Sequence, residues 1–146
     1  MTVVFPRFAL VALFATLAVS GCSNDSPTSP NMPSAPYSAT DITLGTGLEA
    51  TPGKMLSVHY AGWLYDPTRA ESKGSQFDSS AGRAPFSFVL GTGNVIQGWH
   101  QGIGGMRVGG KRRLVLPPNL AYGSQGNGPI PPNATLVFDV ELVGVQ

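Results

Sequence analysis

From Met55 to Tyr65 apolar and polar positions alternate, so that Leu56, Val58, Tyr60, Gly62 and Leu64 fall on one side of an extended chain. Phe86, Phe88 and Leu90 repeat the pattern after Pro85, and Leu136, Phe138, Val140 and Leu142 do so within Thr135 to Val143. Arg113 to Leu116 adds a short strand. One stretch follows a different period. Ile96, Trp99, Ile103 and Met106 are three, four and three residues apart, which places them on one face of a helix. Gly98, Gly102, Gly104 and Gly105 weaken that helix, at up to ~1 kcal/mol each relative to alanine. It is therefore expected to be short and to form only when docked. Many strands and one amphipathic helix predict an α+β domain, an antiparallel twisted sheet wrapped around one short α-helix. Pro117 to Ala134, with five prolines and three glycines, is expected to be a long loop, and loops of that length in compact domains usually carry function.

The N-terminal end has another character. Arg7 precedes an uncharged stretch from Phe8 to Val19 that is apolar but for Thr16. As a helix, twelve residues rise about 18 Å, short of a ~30 Å hydrocarbon core. Residues 1–21 are thus expected to be an export signal rather than a membrane span. Val19-Ser20-Gly21-Cys22 is similar to a bacterial lipobox, in which the Cys is acylated and becomes the mature N-terminus. Cys22 is the chain's single cysteine, so the fold must stand without an internal disulfide. Residues 22–36 hold Pro27, Pro30, Pro33 and Pro36 among Ser and Asn, the composition of an extended tether. Residues 37–146 are then of normal size for one domain with one core. Without Arg7, eight basic side chains match eight acidic ones. That balance argues against nucleic acid as a partner.

Reactive chemistry is hard to find. Gly45-Thr46-Gly47-Leu48-Glu49-Ala50 fits a dinucleotide fingerprint, yet Pro52-Gly53 blocks the helix that should follow. Gly105 to Lys111 nearly spells a phosphate loop, but Arg112 stands where the Ser or Thr belongs. Lys111-Arg112-Arg113 is expected to be a solvated strand end. His59 and His100 lack nearby cysteines or paired acids, so no metal site and no cofactor is expected. No nucleophile elbow surrounds Ser79 or Ser80. What remains is a set of aromatic side chains and one carboxylate.

Five separated segments carry that set: Val58-His59-Tyr60-Ala61-Gly62, Gln76-Phe77-Asp78-Ser79-Ser80, Val95-Ile96-Gln97-Gly98-Trp99, Ala121-Tyr122-Gly123 and Ala134 to Leu142. In order and spacing they resemble the FKBP-type peptidyl-prolyl cis-trans isomerases, from roughly Tyr37 onward. The resemblance implies a non-covalent rotamase that accelerates Xaa-Pro bond rotation in an aromatic pocket. It implies Trp99 as the floor under the proline ring, with Tyr60, Phe77, Phe86 and Phe138 as walls and Val95 and Ile96 beside them. The Ile96 backbone N–H would hold a substrate carbonyl, and Tyr122 would donate its hydroxyl. Asp78 would accept or orient a hydrogen bond at the edge, and Ile130 would cap the site. Asp78, Tyr122 and Phe138 are the expected catalytic set. Phe88, Leu136 and Val140, mid-strand without polar neighbours, are expected to be plain core.

Two departures stand out: the loop after Tyr122-Gly123 is one residue shorter than the common form, and Pro129 replaces an aliphatic residue. Both changes fall on the loop lip, which bears on affinity for macrolide inhibitors, and leave the pocket floor untouched. Asp66 to Ser75 resembles an insertion seen in bacterial members and is expected to bulge as a loop. With the lipobox, the resemblance implies a lipid-anchored monomer of the cell envelope acting on proline-containing exported polypeptides. Ser23 favours the outer membrane in a diderm bacterium. A binding module without turnover, or a holdase, are the competing readings.

Overall fold

The computed structural model describes residues 31–146. The expected export signal of residues 1–21, Cys22 and most of the expected tether lie outside the described residues. Met32, inside the stretch assigned to the tether, packs against the core.

The longest alternating run forms strand β2, Met55–Tyr65, with the predicted bounds. It is preceded by β1 (Ser38–Thr43), followed by β3 (Lys73–Ser79) and β4 (Phe86–Val89), then β5 (Lys111–Leu116) and β6 (Leu136–Val145). Every pairing is antiparallel, in the order β1-β5-β6-β2-β3, with β4 also pairing β2. β6 is central and buried throughout Leu136 to Val140, flanked by the two strands whose inward faces it matches. Register places Gly62 opposite Phe138, Tyr60 opposite Val140 and Leu114 opposite Phe138. The inward residues of three strands therefore converge on one patch.

Helix α1, Gln97–Ile103, lies on that patch. Trp99 and Ile103 of the predicted stripe are in it and buried. Ile96 is its N-cap residue, and Met106 packs from the turn beyond. The helix stops after two turns because the glycines that follow favour a turn. Arg112, read as part of a solvated strand end, instead faces inward. Its guanidinium donates to the Gly102 carbonyl at 2.8 Å and pairs with Asp41 at 2.6 Å. It thus satisfies a helix-end carbonyl and places a cation at the negative end of the peptide dipoles. Phe88, Leu136 and Val140 are buried core as expected.

Two boundaries differ from expectation. β1 carries no apolar alternation, and all six of its residues are exposed. The bulge expected over Asp66 to Ser75 ends early. Ala70–Ser72 makes one 3₁₀ turn and Lys73 already belongs to β3. Glu71 and Ser72 take left-handed φ values of 55° and 56°, closing the turn. The Pro117–Ala134 segment is a loop with one 3₁₀ turn at Pro118–Leu120.

Candidate active site

Tyr60 on β2, Phe77 and Asp78 on β3, Phe86 on β4, Trp99 on α1 and Phe138 on β6 reach the same place from five elements. With Val95, Ile96, Tyr122 and Asn94 they line one open hollow of about 230 Å³. Trp99 is its centre. Its ring centroid is 5.2 Å from Tyr60, 5.5 Å from Phe138 and 5.9 Å from Phe86, each approached edge-on. Phe77 stands edge-on to Phe138 at 5.5 Å. Edge-to-face packing fixes the orientation of each ring while leaving faces free toward the opening. Gly62 makes this possible: a Cβ there would lie 2.6 Å from Phe77 and 2.7 Å from Phe138.

The polar groups are few and fixed. Asp78 accepts from the Tyr60 hydroxyl at 2.5 Å, from the Ser79 amide at 2.8 Å and from Arg83 at 2.7 Å. Arg83 also donates to the Ser79 carbonyl. The Tyr60 bond, with the Ser79 and Arg83 contacts, holds the Asp78 carboxyl below its usual range against the opposing effect of burial. Tyr60 shifts the other way, pushed up to about 12 by burial and then by the bond to Asp78. The pair is a neutral phenol donating to an anion, a charge-assisted bond that locks the Tyr60 ring. The N–H of Ile96 makes no hydrogen bond among the described residues.

Nine of the ten residues expected at the pocket line this hollow. Ile130 does not. It borders an adjoining hollow of about 200 Å³ with Phe77, Asp78, Tyr122, Asn127 and Pro129, and at 6% exposure it is packed rather than a free flap. Asn94 and Arg83 were not foreseen. Asn94 reads as a turn residue among glycines, and Arg83 is the last residue of a turn that its own amide closes on the Ser80 carbonyl. A hollow of about 220 Å³ on the outer face of the sheet is lined by His59, Trp63, Lys111, Asp139 and Glu141. Its charged walls suit water rather than an apolar ligand. No group of three metal-ligating side chains occurs among the described residues.

These features make an apolar hollow with one fixed carboxylate at its rim. A family model described as FKBP-type peptidyl-prolyl cis-trans isomerase matches residues 47–143. The FK506-binding protein of Neisseria meningitidis serogroup A is 49% identical over 107 residues, covering 72% of this chain and 92% of its own. The peptidyl-prolyl cis-trans isomerase FKBP53 of Arabidopsis thaliana is 52% identical over 101 residues, 68% of this chain but 20% of that longer protein. The crystal structure of AtFKBP13 superposes with a TM-score of 0.65 at 40% identity, covering 75% of this chain and 93% of that one. The chain belongs to the FKBP-type peptidyl-prolyl cis-trans isomerases.

Proposed function

We propose that the aromatic hollow is where the isomerisation takes place, on proline-containing segments of exported polypeptides. Rotation about the amide bond costs about 18–20 kcal/mol because conjugation must be broken. Twisting leaves the carbonyl with less demand for hydration, so a dry apolar wall favours the perpendicular form over either planar isomer. Interactions that strengthen only in the twisted state lower the barrier. Lowering it by about 5.4 kcal/mol gives roughly 10⁴-fold acceleration. No nucleophile is required.

Trp99 is the floor on which the proline ring rests, and Phe138, Tyr60, Phe77 and Phe86 are its walls. The unpartnered Ile96 N–H and the Tyr122 hydroxyl hold substrate carbonyls, while Asp78 keeps Tyr60 in place and presents a negative edge. The observation that carries this reading is the meeting of six aromatic rings around one opening with a single fixed carboxylate at its rim. Relatives named FK506-binding proteins make a macrolide of that kind a natural competitor for the same hollow. Pro129 and Ile130, on the adjoining hollow, would set the affinity.

The remaining part of the reading concerns location. Residues 1–21 direct export, Cys22 is acylated, residues 22–36 form the tether, and the domain from residue 37 works as a monomer in the cell envelope, on the outer membrane if the source is a diderm bacterium. Freshly exported chains are then its substrates, since slow proline steps limit folding.

Exchange rates of short Xaa-Pro peptides, measured by NMR with the purified protein, test the site. Trp99 and Phe138 are also core, so truncating them would confound folding with function. Tyr122→Phe touches the rim alone, and Asp78→Asn the rim and its bond to Tyr60. Each is expected to lower kcat/KM about tenfold with an unchanged circular dichroism spectrum. Peptide binding without accelerated exchange would point to a binding module instead. For the anchor, Cys22→Ala is expected to move the protein out of the membrane fraction, and unchanged partition would refute it.

A further inference from the structure

His100 follows Trp99 in α1 and takes no part in the reaction as derived. Its Nδ1 accepts a hydrogen bond from the Gly91 N–H at 3.0 Å. Its Nε2 is buried with no partner among the described residues. The ring stands edge-on to Phe88 at 6.2 Å. A backbone amide can only donate, so Nδ1 must carry the lone pair and the proton must sit on Nε2. The bond requires the neutral ring.

Gly91, at φ 90°, opens the turn that leads into the site. Thr92 Oγ1 donates to the Val89 carbonyl at 2.9 Å, and the Asn94 amide donates to Thr92 at 2.9 Å. The next residues out of this turn, with Asn94 itself, are Val95 and Ile96 of the hollow. We propose that His100 is a positioning residue. Neutral, it fastens the Gly91 turn to α1 and holds Asn94 and Val95 at the mouth; protonated, it lets the turn go.

The surroundings offer a protonated ring nothing. α1 carries no other charged side chain. β4 contributes Phe88. From β5, Arg112 donates to the Gly102 carbonyl of the same helix, a cation rather than an acceptor. No carboxylate among the described residues ion-pairs with His100. Protonation would set one N–H against another at Gly91 and bring in no compensating anion.

The effect on turnover rests on the isomerase reading, but the tie itself does not, so two readouts separate them. The first is the Gly91 amide resonance followed from about pH 8 into acid, as far as the protein stays folded. The second is kcat/KM for an Xaa-Pro peptide over the same range. In the wild type the resonance is expected to move and kcat/KM to fall at least about fivefold, chiefly through KM. His100→Asn puts a carbonyl oxygen near the Nδ1 position and should remove both dependences while keeping the high activity. His100→Phe keeps the ring without the acceptor and should show the low, acid-form activity at every pH. A Gly91 resonance indifferent to pH, an acid fall that persists in His100→Asn, or full activity in His100→Phe would each overturn the proposal. If the protein accelerated no exchange at all, the site reading would fail while the Gly91 titration still judged the tie.

Discussion

Asp78 is polarised from three sides, and its consequences are felt at Tyr60. With its carboxyl held below the ordinary range, first by the Tyr60 hydroxyl, it stays ionised well into acid. The sign follows: a depressed folded value adds stability above the unfolded value of ~3.9, and that stability is lost as pH falls through the folded value. Asp78 therefore imposes no titration on the activity above about pH 5. Tyr60, pushed up to about 12, remains a donor throughout the alkaline range in which enzymes are assayed. In Tyr60→Phe the carboxyl loses its principal donor and is expected to titrate at higher pH, read from its ¹³C resonance, with a several-fold loss of kcat/KM. An unmoved carboxyl would show that the 2.5 Å bond does not exist in solution. Gly62 makes a second claim at this scale. Gly62→Ala should drive Phe77 and Phe138 apart and lower activity about tenfold while β2 remains paired. The sequence marked Gly62 as an inward position and Asp78 as the carboxylate that needs a donor. Arg83 stayed hidden because its link to Asp78 runs across a turn and through space, with no periodicity to reveal it.

α1 shows why a poor helix sequence is the right one for an element. A Cβ on Gly98 would meet Leu116 Cδ2 at 2.5 Å, and one on Gly102 would meet Leu114 Cδ2 at 2.5 Å. Both leucines are fully buried and have nowhere to go. Alanine at either site would gain up to ~1 kcal/mol of helix propensity, against about 1–3 kcal/mol for overpacking. Overpacking wins where both neighbours are locked. Gly98→Ala and Gly102→Ala are each expected to destabilise by about 1 kcal/mol in urea titration; stabilisation would mean the helix can lift from β5. The elements with a strong apolar period, β2, β4, β6 and the centre of α1, were legible in the sequence. β1 was not, because an exposed edge strand buries neither face and so needs no alternation. The ends of α1 were blurred because Ile96 and Met106 continue the stripe with non-helical backbone.

At the scale of the whole molecule, charge contributes unequally, and burial decides where. Asp139 on β6 is 8% exposed and bonds Arg113 at 2.7 Å and Lys73 at 2.7 Å. Glu71 bonds the same Lys73 at 2.7 Å and the same Arg113 at 3.0 Å, which closes a ring of four charges. Lys73 also stands 4.4 Å from the centre of the Trp63 ring. The ring of charges joins β3, β5 and β6 and the turn before β3, so Phe77 and Asp78 are anchored to the central strand from the outer face. From sequence, Lys111-Arg112-Arg113 read as solvated and Asp66 to Ser75 as a free bulge, since the partner Asp139 lies 66 residues from Lys73. Burial pushes the Asp139 carboxyl up, but the bonds from Arg113 and Lys73 outweigh it and the net direction is down. Removing the carboxylate leaves two cations with one exposed partner, at a cost of about 3 kcal/mol or more. The Glu49–Arg107 pair, both half-exposed, should be worth less than about 1 kcal/mol. Urea titrations of Asp139→Asn and Glu49→Gln are expected to differ accordingly, and equal losses would remove the ring from the account of stability. The pH dependence adds an independent check. Above ~3.9 the depressed Asp139 contributes fully, and that contribution drains away as pH falls through its folded value. The wild type should therefore lose stability steeply below about pH 4, and Asp139→Asn should lose less over the same interval. Parallel curves would assign the acid sensitivity to other carboxylates.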